Sequence, residues 1–282
     1  MRFLYLLFVL MITAACAFAQ GGTFTTVNYP GADYTSIQGI NNNGDLVGYF
    51  STNGFIHGFV DVGGVFTQLD VPGTTNTTEA FAINDVGQVV GGDIQNDPFL
   101  YDIATGTFTL FKFPDPAIQV YATGINNAGV IVGKAYVYGW GVHAGFKIVN
   151  GALTLVRLPG VASTELTSIN NLGQITALAR DAHNNIVGSY LLNPGQKPRL
   201  VSIPSSPSAY VVGINDNSIF AGDVPFGCCF NAGFEWVPPI VVPVVKPGNE
   251  YTYSNGINNS NQVVGSYNQA LSGQGYIWSS SE

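Results

Sequence analysis

Apolar and polar residues along this chain alternate in runs of about five to seven positions, broken by Asn- and Gly-rich turns. Alternation at period two marks half-buried strands, and no stretch offers an apolar stripe at helical spacing. The runs also recur. GINNNGDLVGYF from Gly39, AINDVGQVVGGD from Ala82, GINNAGVIVGKA from Gly124, SINNLGQITALA from Ser168, GINDNSIFAGDV from Gly213 and GINNSNQVVGSY from Gly256 are copies of one unit. Their Ile-Asn pairs, at 40/41, 83/84, 125/126, 169/170, 214/215 and 257/258, are spaced by 43, 42, 44, 45 and 43 residues. A second marker, a strand-like run ending in Pro, keeps the same period at Pro30, Pro72, Pro114, Pro159, Pro204 and Pro247.

Each period reads as four strands. In the first copy these are Ser36 to Asn41, Leu46 to Phe50, Ile56 to Asp61 and Val65 to Val71. Four short strands every 42–45 residues is the signature of a propeller blade. The order of the markers predicts a closed ring. The chain opens, at residues 23–29, with a Pro-ended fourth strand and ends on a third strand near Tyr276-Ile277-Trp278. Pairing these two ends removes two exposed sheet edges. The expectation is therefore an all-β, six-bladed β-propeller of four-stranded blades. Its repeats lie near 36–71, 79–113, 121–158, 165–203, 209–245 and 253–279 plus 23–29, in one domain over 20–282. An outer-membrane barrel is disfavoured, because its strands need about 9–11 residues.

Only 9% of the residues are charged and 46% are hydrophobic, which argues for a packed core and against disorder. A net charge of −8 excludes the cationic face that nucleic acid requires. Arg2, the apolar run from Phe3 and Ala17-Phe18-Ala19 read as a secretory signal peptide over 1–19. Lipoprotein processing at Cys16 is the weaker alternative, since Thr13 stands where that site prefers a larger aliphatic residue. No later segment is apolar enough to span a membrane as a helix, so the expectation is export to the periplasm or beyond.

The repeated G-I-N-[ND]-x-G-x-[VI]-V-G, followed by strands such as His57-Gly58-Phe59 and His143-Ala144-Gly145-Phe146, resembles the bacterial extracellular HAF-repeat proteins. The resemblance implies an exported repeat protein and no particular reaction. The fourth copy departs from it, with Ile175-Thr176-Ala177 in place of Val-Val-Gly.

The repeated Asn (41, 84, 126, 170, 215, 258) suits a turn that its side chain bonds from within, and the small residue before each Ile suits close packing of neighbouring inner strands. Chemistry has a different address. Ser36, Glu79, Tyr121, Glu165, Tyr210 and Tyr253 stand four positions before each Ile and should ring one mouth of the channel. Tyr34, Tyr251, Tyr136, Tyr138 and Trp140 fall on the same side. Aromatic faces with a few carboxylates suit stacking on sugar rings or on peptide side chains. Tyrosines that merely cover strand ends give the same pattern. These residues nominate a non-enzymatic binding face for carbohydrate or a surface protein. Glu79 and Glu165 nominate, as the alternative, an acid/base pair acting on polysaccharide, and a scaffold without ligand is the third reading. Cys228-Cys229 admits a vicinal disulfide or two packed thiols. No metal or cofactor motif is present in the sequence, and its oligomeric state is not readable.

Overall fold

In the computed structural model, residues 22–73, 77–93, 98–111, 117–137, 141–204, 206, 208–226, 230–249, 251–269 and 272–280 are described. The leader segment with Cys16, the pair Cys228-Cys229, and Tyr138 and Trp140 lie outside them. Strand β1 (Thr23–Val27) comes first. The first repeat supplies β2 (Tyr34–Ile40), β3 (Leu46–Thr52), β4 (Phe55–Val62) and β5 (Val65–Leu69). The second supplies β6 (Thr78–Ile83), β7 (Gln88–Asp93), β8 (Pro98–Asp102) and β9 (Thr107–Leu110). The third supplies β10 (Ala117–Ile125), β11 (Ile131–Val137), β12 (Val142–Val149) and β13 (Ala152–Val156). The fourth supplies β14 (Ser163–Ile169), β15 (Ile175–Arg180), β16 (Ile186–Leu192) and β17 (Arg199–Val201). The fifth supplies β18 (Tyr210–Ile214), β19 (Phe220–Phe226), β20 (Phe230–Val237) and β21 (Ile240–Val244), and the last β22 (Tyr251–Ile257), β23 (Val263–Gln269) and β24 (Ser272–Ser279).

Antiparallel meanders of four strands arrange as a β-propeller. The sequence predicts six separate sheets; the hydrogen bonding shows four, from repeats one to four, and one sheet of eight strands. The reason is a single parallel bridge, Asn231 to Tyr251, that joins β18–β21 to the run β22-β23-β24-β1. The Asn231 side chain reinforces it by donating to the Thr252 carbonyl at 3.1 Å. A like parallel bridge, Ile56 to Thr77, touches repeats one and two without merging their sheets. At the chain ends, β1 pairs with β24 from Thr23–Ser279 to Val27–Gly275.

Packing follows the same circuit. Six clusters of buried side chains lie between consecutive repeats, and one of them sets Val264 of the last repeat against Ile37, Phe50 and Phe59 of the first. Innermost strands are buried on both faces, while outermost strands such as β5 and β13 are mostly exposed. Phe59, Phe99, Phe146 and Phe234 fill the centres of the third strands. Each sits opposite a glycine of the second strand: Gly48, Gly91, Gly133 and Gly222. A Cβ at Gly133 would collide with the Tyr121 carbonyl and the Phe146 ring, and the other three are equally tight. The fourth repeat carries Ala177 there, and its partner Tyr190 is only half-buried. The alanine methyl therefore stands opposite a ring that is less enclosed than the four buried phenylalanines.

The turn after each first strand closes the wheel at one end. Asn41 illustrates it: Oδ1 accepts from the N–H groups of Asn43 and Asp45 at 3.0 and 2.9 Å, as expected of an Asx turn. Its Nδ2 donates to the Asn84 carbonyl of the next repeat. Asn84, Asn126, Asn170 and Asn215 each do the same to the next, and Asn258 donates back to the Asn41 carbonyl, so six bonds of 2.9–3.3 Å form an unbroken ring. A second ring lies outside it. The backbone N–H groups of Asn42, Asp85, Asn127, Asn171, Asp216 and Asn259 each donate to the next member's side-chain oxygen at 2.7–2.9 Å. The turn needs a positive φ, met by Gly44, Gly87, Gly129 and Gly173 and, in the last two repeats, by Ser218 and Asn261. Small residues precede each Ile because neighbouring inner strands nearly touch: a Cβ on Gly39 would stand 2.9 Å from the Phe81 carbonyl.

Candidate functional site

The channel is narrow at the asparagine end and wide at the other. Beneath the two Asn/Asp rings, the Ile side chains 40, 83, 125, 169, 214 and 257 line spaces of only 70 and 80 Å³. The opposite mouth opens into a cavity of 430 Å³. Local backbone geometry makes that mouth. Every innermost strand pair carries a β-bulge, at Gln38, Phe81, Thr123, Thr167, Val212 and Asn255. A bulge redirects one side chain without ending the ladder, and all six of these residues line the cavity. Several also tie repeats together: Thr123 Oγ1 donates to the Leu166 carbonyl at 2.7 Å and Asn255 Nδ2 to the Ile37 carbonyl at 2.8 Å.

Of the described residues nominated from sequence, two reach this cavity and Ser36, Tyr34, Tyr136, Glu165, Tyr210, Tyr251 and Tyr253 are not among those that line it. Glu79 and Tyr121 line the cavity. Burial raises the Glu79 carboxyl above its usual range, and burial followed by the Glu79 charge raises the Tyr121 phenol. Tyr121 meets Phe81 edge-on, with ring centroids 5.6 Å apart. Gly92, opposite Glu79, leaves the space that the Tyr121 ring occupies. Ser36 is buried and accepts from Gln38 Nε2 at 2.8 Å. Tyr34 lies near-parallel to Tyr49 at 6.0 Å, and Tyr251 to Tyr253 at 6.2 Å. Tyr210 stands beside Asp223, its partner across the strand pair, and burial and that carboxyl together raise its phenol. Asp223 itself is pushed up to about 7 by burial, against the pull of the Ser254 N–H and the Asn231 and Tyr210 side chains. Tyr136 packs edge-on to His143.

Glu165 behaves differently. Its carboxylate accepts from Lys134 Nζ at 3.1 Å and from Arg180 Nε at 2.9 Å, and His143 Nδ1 lies 3.9 Å away. Burial alone would raise its pKa; the two cations outweigh burial and hold it below the ordinary value. The same surroundings lower His143, through burial first and then the Lys134 and Arg180 charges, against the Glu165 carboxylate. Lys134 reaches the cavity and lies 5.9 Å from the centre of the Tyr121 ring. Glu165 is not among the residues that line it.

Two groups were not nominated from sequence. The bulge layer carried a signal: two positions before each Ile the repeats read Gln, Phe, Thr, Thr, Val and Asn, a mixture of polar and apolar residues beside a nearly constant motif. The two cations on Glu165 carried none, because Lys134 comes from the preceding repeat and Arg180 from the facing strand of the same one. Among the described residues no group of His, Cys, Asp and Glu is arranged to hold a metal, and no helix is long and apolar enough to cross a membrane.

No protein-family model matches the chain, and no curated protein matches its sequence. Solved structures do. An oligogalacturonate lyase in complex with manganese superposes with a TM-score of 0.55 at 12% identity, over 94% of this chain and 99% of that one. The oligogalacturonate lyase of Vibrio parahaemolyticus gives 0.56 at 10% identity, over 93% and 97%. The SapL1 lectin in complex with alpha methyl fucoside gives 0.56 at 14% identity, over 89% and 94%. Likeness at such identities establishes that the chain has a β-propeller fold.

Proposed function

We propose that this chain is an exported, six-bladed propeller that binds carbohydrate at its open channel mouth without turning it over. The eight-stranded sheet counts as two blades in this reading, since only one residue pair joins its halves. Six inter-repeat cores and six-membered asparagine rings agree with that count. Export rests on the signal-like leader and on the resemblance to HAF-repeat proteins.

The observation that carries the binding reading is the contrast between the two ends of the channel. One end is filled by side chains that satisfy one another. The other opens into a concavity lined by Tyr121, Phe81, Glu79, Lys134, Gln38 and Asn255. A concavity that mixes aromatic and aliphatic side chains with a few convergent polar groups is the ordinary form of a small-ligand site, and aromatic faces beside amides suit sugar rings. A concavity of this size fits a saccharide better than the broad face of a surface protein. The lectin among the structural neighbours lends support by analogy of fold.

One observation favours catalysis as the second reading: Glu79 is raised and Glu165 lowered, the opposed shifts expected of an acid and a base. Such a pair must stand about 5–9.5 Å apart across a substrate, and Glu165 is already held by two cations. Screening polysaccharides for binding and for new reducing or unsaturated ends separates the readings. Binding without product, lost on Tyr121→Ala, is expected. Turnover abolished by Glu79→Gln and by Glu165→Gln would replace the binding reading with the enzymatic one, and binding of no glycan at all would leave the scaffold.

A further inference from the structure

We infer that the saccharide taken at the mouth carries a carboxylate, read by Lys134 with Arg180 behind it. The inference rests on the binding reading above and adds the chemical class of the ligand. Cations are scarce in this protein, with nine Lys and Arg in 282 residues against seventeen Asp and Glu. Two of the nine nevertheless converge on one carboxylate, where repeats three and four meet beside the cavity. Two cations on Glu165 leave that cluster one positive charge in excess, and His143, lowered by burial and by those same cations, adds none near neutral pH.

Geometry then places the excess charge where a ligand can reach it. Lys134 lines the cavity, while Glu165 does not. Glu165 accepts one N–H of the ammonium, which has three. The ammonium stands 5.9 Å from the Tyr121 ring centre, so a cation and an aromatic face are presented together. A uronic acid offers the complement: a C–H face for the ring and a carboxylate at its edge. The Glu165 contact also holds the lysine chain in place before the ligand arrives, which reduces the ordering that binding must impose. Arg180 is fixed in the same way, with Nε on Glu165 and Nη1 on the Asn184 carbonyl. Glu79 opposes an acidic ligand from the same cavity, and burial weakens that opposition by favouring its neutral form.

The test is calorimetric titration at low salt with tri-galacturonic acid and with its full methyl ester, which keeps the rings and removes the charge. The acid should bind at least about ten-fold more tightly than the ester, and added salt should weaken the acid alone. Lys134→Met should weaken the acid by at least about ten-fold and the ester much less, with a thermal melt confirming that the variant is folded. Glu79→Gln should tighten the acid. Equal affinity of the wild-type protein for acid and ester, or a preference for the ester, overturns the inference while leaving carbohydrate binding intact. Binding of neither probe nor of any neutral oligosaccharide overturns the binding reading and the inference with it.

Discussion

Replacing Asn170 with Ala tests the device that closes the wheel. Its side chain is only 4% exposed and makes four hydrogen bonds. Nδ2 donates to Gln174 Oε1 at 2.7 Å and to the Asn215 carbonyl at 2.9 Å, while Oδ1 accepts from the N–H groups of Leu172 and Gln174 at 3.1 and 2.9 Å. Each such bond contributes roughly 1 kcal/mol net. Gln174 Oε1 keeps a donor in Ser218, so that bond is partly replaced. The expected loss is therefore about 3 kcal/mol, or roughly 6–10 °C in melting temperature for a domain of this size. Urea unfolding and thermal melts followed by circular dichroism measure it. Leu172→Ala, on the same turn but 60% exposed, is the control and should change stability by less than about 0.5 kcal/mol. Asn170→Asp keeps both acceptor bonds but sets an anion against the Asn215 carbonyl, so it should be the less stable of the two variants at neutral pH and recover in acid. A loss below about 1 kcal/mol for Asn170→Ala would refute the argument that the ring holds neighbouring repeats together.

Further expectations come from other layers of the molecule. A chain starting at Pro30 lacks β1, exposes the edge of β24 and should melt at least about 10 °C lower; an unchanged melt contradicts closure by that strand. Gly133→Ala forces a methyl group against the Tyr121 carbonyl and the Phe146 ring, neither of which can retreat, and should destabilise by about 3 kcal/mol or prevent folding. Asp223 titrates near 7 in the fold against 3.8 ordinarily, so its contribution is fully present below about pH 4 and is lost as pH rises towards 7. At about 1.4 kcal/mol per pH unit this amounts to roughly 4 kcal/mol. Asp223→Asn should accordingly gain on the wild type by that order between pH 4 and 7, and a difference that does not vary with pH contradicts the assignment.

Much of the fold was legible because it is written several times over. The period, the Asx turns and the strand positions of the first repeat agree with the structure to within about two residues. The small residue before each Ile and the turn-building role of the repeated Asn were legible for the same reason: local sterics and turn chemistry act within a few positions. Contacts between repeats were not. Asn231 next to Tyr251 merges two sheets, and Lys134 beside Glu165 joins two blades, through proximities that no spacing announces. Of the residues four before each Ile, Glu79 and Tyr121 line the cavity, whereas Ser36, Glu165, Tyr210 and Tyr253 do not. Strict alternation hid the bulge two residues later, because an inserted residue shifts which side chain faces the channel.

A crystal structure of the protein soaked with an oligosaccharide that it binds in solution examines the central claim most directly. The account predicts density in the 430 Å³ mouth, with a sugar ring against Tyr121 and a polar edge within hydrogen-bonding distance of Lys134. Density seated instead on the Asn42–Asp85–Asn127 end or on the outer strands, with that mouth empty, would contradict it.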